Sequence, residues 1–316
     1  MPEQFEVSTT QDDVVLHGAG TELTRYVFAP DTAQREAPKP YLFPLRFTDG
    51  GPAAVRRPWD HRWHVGLQFT WSHVDDQNFW GGPTFSAEHG YQHLPNTGSM
   101  VHRGFTEPPS SGQEVVLDES LEWITIGGEH WIDEHRVHRF HSLEAGRGLW
   151  AVDLATELTN VRGSTIPLGS PTTAGRPNAG YTGWFWRGPR SWTGCRLLAS
   201  DGSEGQEALM GSSGPEWVAF SSGHDELDGG GTVLAFRGTS TSPDTAVPPM
   251  KWFARTSPFT VASQSPAFDE RIQLPDRGRL RLEHRFVFAA GVHSPEEVQA
   301  LGQEFSMAAE RESAAS

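Results

Sequence analysis

The chain has 316 residues, 36% of them hydrophobic and 21% charged, with a formal net charge of −15. This composition allows a sizeable folded core and argues against wholesale disorder. The acidic balance repels phosphate backbones and anionic lipid surfaces, so neither nucleic acid nor a membrane is an expected partner. The single cysteine, Cys195, excludes an intrachain disulfide and a cysteine-built zinc site.

The N-terminus, Met-Pro-Glu-Gln-Phe-Glu, lacks the basic and apolar segments of a signal peptide. No window approaches the length of apolar sequence that spans a bilayer. The expected location is the cytoplasm. Short strand candidates then recur along the chain: Val14–His17, Glu22–Phe28, Tyr41–Phe47, Val65–Trp71, Glu114–Leu117, Trp123–Ile126, His135–His141, Trp150–Leu158, Trp217–Phe220, Thr232–Phe236, Arg271–Leu274 and Arg279–Phe288. Clusters of Gly, Pro, Asp and Ser separate them, as turns require. Residues Asp31–Pro40 read as a polar loop, and Cys195 as a buried structural residue in a strand-like run. In the last strand Leu280, Leu282, His284, Phe286 and Phe288 share an apolar face, while Arg279, Arg281, Glu283 and Arg285 share a wet one. His284 is therefore expected to be a hydrogen-bonded core histidine. Ser294 as N-cap, Pro295 in the first turn and the stripe Val298, Leu301, Phe305 predict one helix at about 294–310, fraying from Ala308 to Ser316. There is no strand–helix alternation and no glycine-rich phosphate loop, so no nucleotide cofactor is expected. The pattern predicts an all-β fold: a large antiparallel β-sandwich, one domain over residues 1–316, with a short C-terminal helix.

Of the 14 histidines, ten lie between His61 and His141. Asp60, His61 and His64 sit in Pro58-Trp59-Asp60-His61-Arg62-Trp63-His64-Val65-Gly66-Leu67. Two histidines three apart beside an aspartate can serve as metal ligands, acid–base groups or sugar-hydroxyl partners, or simply as polar loop residues. As strand residues they would point to opposite faces, so they share a site only if Pro58–His64 is a loop. Asp75–Gly82, containing Trp80, and the following stretch with His89, His93 and His102 have little periodicity, as binding loops often do. With His61 and His64, His102 could complete a three-histidine site for a divalent metal. His135, Val137, Arg139 and His141 alternate as a solvated strand face. Gly175–Arg190 offers Trp186 and Arg187 to a ligand, or else reads as aromatic core with surface arginines, and Ser222–Gly230 offers His224 with Asp225 or Asp228, although hairpin chemistry also accounts for that segment.

Asp60-His61-Arg62-Trp63-His64-Val65-Gly66-Leu67, Asn78-Phe79-Trp80-Gly81, His102-Arg103-Gly104-Phe105, Gly175-Arg176-Pro177-Asn178-Ala179-Gly180-Tyr181, Phe185-Trp186-Arg187-Gly188-Pro189-Arg190 and Trp252-Phe253-Ala254-Arg255 with Pro258-Phe259 together resemble the soluble bacterial PmoA-like family. The similarity runs from about Tyr41 to about Phe305. It implies a supersandwich of the galactose mutarotase-like kind and a place in carbohydrate metabolism. The first motif departs from that of aldose epimerases, which carry two glycines after the histidine where this chain has Val65.

These readings combine into one expectation: a carbohydrate-active enzyme performing epimerisation, elimination or hydrolysis on a small-molecule substrate. His61, His64, His102 and His224 are its expected catalytic groups. Asp60, Trp80, Trp186, Arg187 and Asp228 are its expected binding and supporting residues. A non-catalytic carbohydrate-binding protein and a metal-dependent oxygenase on His61, His64 and His102 are the alternatives.

Overall fold

Short amphipathic strands need a second apolar surface to cover their inner faces, and two facing sheets supply it. In the computed structural model, which describes residues 3–225 and 227–307, two eight-stranded sheets do this. The first runs, in spatial order, Glu6–Thr9, Asp13–Gly18, Thr21–Val27, Tyr41–Leu45, Leu67–Thr70, Gly183–Arg187, Val261–Ser265 and Lys251–Arg255. The second runs Arg196–Ala199, Trp217–Gly223, Gly230–Thr241, Arg279–Ala290, Leu149–Asn160, His130–Glu144, Val115–Ile124 and Ser99–Phe105. The pairings throughout both are antiparallel. Leu42, Phe69, Trp184 and Trp186 from the first sheet and Leu117, Val152, Phe220 and Phe288 from the second lie in one continuous apolar cluster. The chain is an all-β sandwich, as its sequence pattern predicts.

Several boundaries differ from the sequence reading for identifiable reasons. Glu114–Leu117 and Trp123–Ile126 are parts of one strand, Val115–Ile124. Its polar middle resembles a turn, but Glu119 points inward and is fully buried against Tyr26 and His102. The expected strand at His135–His141 is the centre of a longer one, His130–Glu144. His135 is exposed as expected, whereas His141 is buried with Nε2 3.2 Å from Asp153 Oδ1. Cys195 is half-buried rather than buried, and burial pushes its thiol up to about 11.

The Arg279–Ala290 strand keeps its predicted inner face, and His284 is buried with Nδ1 2.9 Å from Gln264 Oε1. The predicted wet face is not wholly wet. Arg285 is buried, and it donates to Asp153 at 2.5 and 2.9 Å and to the Phe305 carbonyl at 3.0 Å. The cause is the C-terminal helix, Pro295–Glu304, which lies on that face. Ser294 and Glu297 close a capping box at its start, and Val298, Leu301 and Phe305 pack on Trp217, Val287 and Ala289. Gly302 permits that approach: a Cβ there would sit 2.2 Å from the Trp217 ring. The helix ends at Glu304, short of the expected limit, and residues 308–316 lie outside the described residues. Among the described residues no helix is long and apolar enough to cross a membrane.

Candidate functional site

The outer face of the first sheet carries a second apolar layer. Strand alternation creates it. On Gly183–Arg187, Trp184 and Trp186 enter the sandwich core, which turns Phe185 and Arg187 outward. On Lys251–Arg255, Trp252 and Ala254 face the core and Phe253 faces out. Phe185, Phe253 and Val261 then pack with Trp80 and Phe268, and with partly buried Trp63, Tyr181 and Phe259 from the loops above. Between sheet and loops lies a cavity of about 390 Å³.

His61 and His64 both line this cavity because Pro58–His64 is a loop. Two tight turns shape it: His61 N donates to the Pro58 carbonyl at 3.0 Å, and His64 N to the His61 carbonyl at 2.9 Å. Gly66 then turns the chain into the sheet at φ 56°, in the left-handed region, where a Cβ would lie 2.1 Å from the Leu42 carbonyl oxygen. The two imidazole centroids end 4.7 Å apart.

The surroundings assign different proton positions to the two rings. His64 is 3% exposed, with Nδ1 3.2 Å from Arg187 Nη1. A guanidinium only donates, so Nδ1 accepts and the neutral ring carries its proton on Nε2. Burial, reinforced by the charges of His61, Arg187 and Lys39, holds His64 well below the usual histidine range. His61 Nδ1 lies 3.4 Å from Asp60 Oδ2, an electrostatic pairing too long for a tight hydrogen bond. Burial also lowers the His61 pKa, with Asp60 pulling the other way. Asp60 is fixed by Arg190 Nη2 at 2.6 Å. Burial opposes its charge, but a backbone hydrogen bond and Arg190 outweigh that and keep its carboxyl below the usual range. The carboxylate favours the proton on His61 Nδ1, which leaves the Nε2 lone pair as a base. One ring is thus a poised acceptor and its neighbour a poised donor.

Arg187 is fully buried, lies 3.6 Å over the Phe259 ring, and leaves Nε and Nη2 without hydrogen-bond partners among the described residues. Burial pulls its pKa down to about 10, against the pull of Asp60, so it stays cationic at neutral pH. Further along the cavity wall, Arg176 meets the Tyr91 hydroxyl, which lies 2.7 Å from the Tyr181 hydroxyl. Arg255 donates to the Asn178 carbonyl at 2.9 Å and stacks on Phe253.

Beneath the loops, the stretch expected to be a polar loop, Asp31–Pro40, contains a short 3-10 helix at Gln34–Glu36 and two buried charges. Glu36 receives Arg57 in a two-pronged contact at 2.8 Å each and Arg62 at 3.2 Å. Burial opposes its charge, but these arginines hold its carboxyl below the usual range. Lys39 donates to the carbonyls of Glu36, Ala37 and Trp80 at 3.1, 3.0 and 2.9 Å, and burial brings its pKa down to about 7. It thereby fixes the backbone of Trp80. Trp80 lines the cavity, 5.2 Å from the His64 ring and 4.6 Å from Phe185 between centroids.

The other expected site residues stand elsewhere. Trp186 is a core residue whose Nε1 donates to the Ala53 carbonyl at 2.9 Å. His102 lies in a different hollow, with Nδ1 2.5 Å from Glu119 Oε2 and its ring against Phe28 and Phe105. The alternative of a His61, His64, His102 metal centre is therefore not assembled. His224 packs between Phe47 and Trp192, away from the cavity walls, and Asp228 is exposed in the loop beyond it. Among the described residues, Glu122, His130 and Asp133 do come within metal-binding distance of one another, at an exposed hairpin with Glu122 already paired to Arg103.

Sequence reasoning gave no role to Trp63, Tyr91, Phe253, Arg255 or Phe259, and weighed Arg176, Tyr181 and Phe185 only as members of the Gly175–Arg190 segment; all line the cavity wall. Most stand in the motifs quoted above, so the signal was present as motif membership without an assignable face. Glu36 and Lys39 carried no signal, because a charge in a loop reads as solvated.

A family model covering residues 13–303 matches the chain, and the chain belongs to that family, described as a family of unknown function (DUF6807). No curated protein matches it.

Proposed function

We propose that this DUF6807 member is an enzyme performing acid–base chemistry on a carbohydrate or sugar derivative held in the His61–His64 cavity. One observation carries the reading: two imidazoles with centroids 4.7 Å apart, one beside a carboxylate and one beside a guanidinium, share an aromatic-walled cavity of about 390 Å³. The volume falls within the range of small-molecule sites. Flat rings of Trp63, Trp80 and Tyr181 offer surfaces for the C–H faces of a sugar ring, and the imidazoles meet its polar edge. His61 would take a proton from carbon or hydroxyl and, once protonated, return it to the substrate, while neutral His64 would stabilise the developing oxyanion by donating a hydrogen bond from Nε2–H. Epimerisation, elimination and hydrolysis all use that pairing.

The test is to incubate the protein in D2O with a panel of sugars, keto-sugars, uronates and glycosides. NMR then reads deuterium at carbon and any new product. Exchange or product formation that His61→Gln abolishes supports the reading. A panel member that binds but shows neither would leave a binding protein and overturn it.

A further inference from the structure

The charge lining the cavity is opposite to that of the protein. The chain has 40 acidic and 25 basic side chains, yet Arg176 and Arg255 line this cavity and no Asp or Glu does. Both arginines are half-buried. Among the described residues neither has a carboxylate within ion-pair distance, and their hydrogen bonds go to neutral oxygens, the Tyr91 hydroxyl and the Asn178 carbonyl. Arg57, Arg136, Arg147, Arg190 and Arg285 have acidic partners, whereas among the described residues Arg176 and Arg255, like Arg187, do not. Burial and then the neighbouring Arg176 charge both disfavour the cationic form of Arg255. Two like charges at the rim of a cavity, without an acid to offset them, are stabilised when an anion arrives.

The rings give this charge a direction. His64 contacts Trp80 at 5.2 Å between centroids, Trp80 contacts Tyr181 at 4.7 Å, and Tyr181 contacts Phe253 at 5.1 Å. Arg255 lies 4.7 Å over Phe253. A continuous aromatic floor therefore runs from the acid–base pair to the arginine pair. We propose that the ligand of this cavity is an anionic sugar, anchored by its carboxylate or phosphate on Arg176 and Arg255 while its ring lies across Trp80 and Tyr181. This deepens the reading of the cavity as a substrate site and rests on it. The anion is an anchor, and Arg176 and Arg255 are binding residues rather than proton-transfer groups.

The test is isothermal titration of the full chain with D-glucuronate, glucose 6-phosphate and glucose, at low and at raised salt. At least one anionic probe should bind roughly tenfold or more tighter than glucose and weaken as salt rises. The two anions separate carboxylate from phosphate. Arg255→Gln and Arg176→Gln should each remove most of that preference, and an unchanged circular dichroism melt shows that the variants fold. Arg255→Lys should retain part of it. Glucose binding as tightly as both anions, or an anion preference that survives Arg255→Gln, would overturn the proposal. So would failure of both anions to bind. Anion binding without turnover would sink the enzymatic reading and leave this one standing.

Discussion

Arg187 Nη1 lies 3.2 Å from His64 Nδ1, and this contact decides which nitrogen of His64 offers a proton to the cavity. The guanidinium is fully buried and has no acidic partner among the described residues. A buried cation without a carboxylate destabilises a fold, so such a residue suits a site better than a core. Arg187→Met removes the donor and frees the His64 ring to move its proton to Nδ1. Turnover should fall by about 10²- to 10⁴-fold, the usual worth of a positioned acid–base group. Nitrogen NMR of the imidazoles supplies a readout that a merely structural role would not move. Wild type should show His64 in the Nε2–H form, and the variant should lose that form. An unchanged tautomer with lost activity would remove Arg187 from this role.

Asp60 acts on the other ring. Its carboxylate raises the His61 pKa against burial, so neutralising it lowers that pKa further. In Asp60→Asn, His61 becomes a weaker base that loses its proton at lower pH. The acidic limb of the pH–rate profile should shift to lower pH while the plateau falls. A limb that stays in place would show that His61 is not the base.

Part of this site is legible from residue order. Asp60, His61 and His64 stand in one short motif, and the requirement that Pro58–His64 form a loop follows from strand alternation alone. Trp186 and Arg285 show where such reading stops. Alternation reveals a face only when one side of a strand is wet. Every residue of Gly183–Arg187 is buried, because loops cover its outer side, so nothing in the sequence says that Phe185 rather than Trp186 faces the ligand. Arg285 lies under a helix from the chain's end, and its neighbours along the strand cannot announce that. His102 fails for a different reason. It shares the histidine-rich stretch with His64, but a polar partner inside the second sheet, Glu119, claims it.

The buried histidines make a stability prediction that does not depend on any substrate. Burial is the first cause of depressed pKa values at His64, His138 and His284, and His284 falls to about 3. Each is neutral in the fold but free to protonate near its ordinary value of about 6.5 once unfolded. Between those limits the unfolded chain binds more protons than the folded one, so stability rises with pH. Read downwards, the contribution of these residues is complete above about 6.5 and is lost as pH falls towards 3. Paired carboxylates such as Asp153, held low by Arg285 and His141 against the cost of burial, add to the loss only below about 4. Acid destabilisation should therefore begin in the histidine range. Urea midpoints measured at pH 7.5 and pH 5 check this, with the lower midpoint expected at pH 5. His284→Gln should reduce the difference, because the amide can keep a hydrogen bond to Gln264 but cannot take up the proton, while His64 and His138 keep the remainder. A midpoint that is constant down to pH 5 in the wild type would show that these histidines titrate normally in the folded protein.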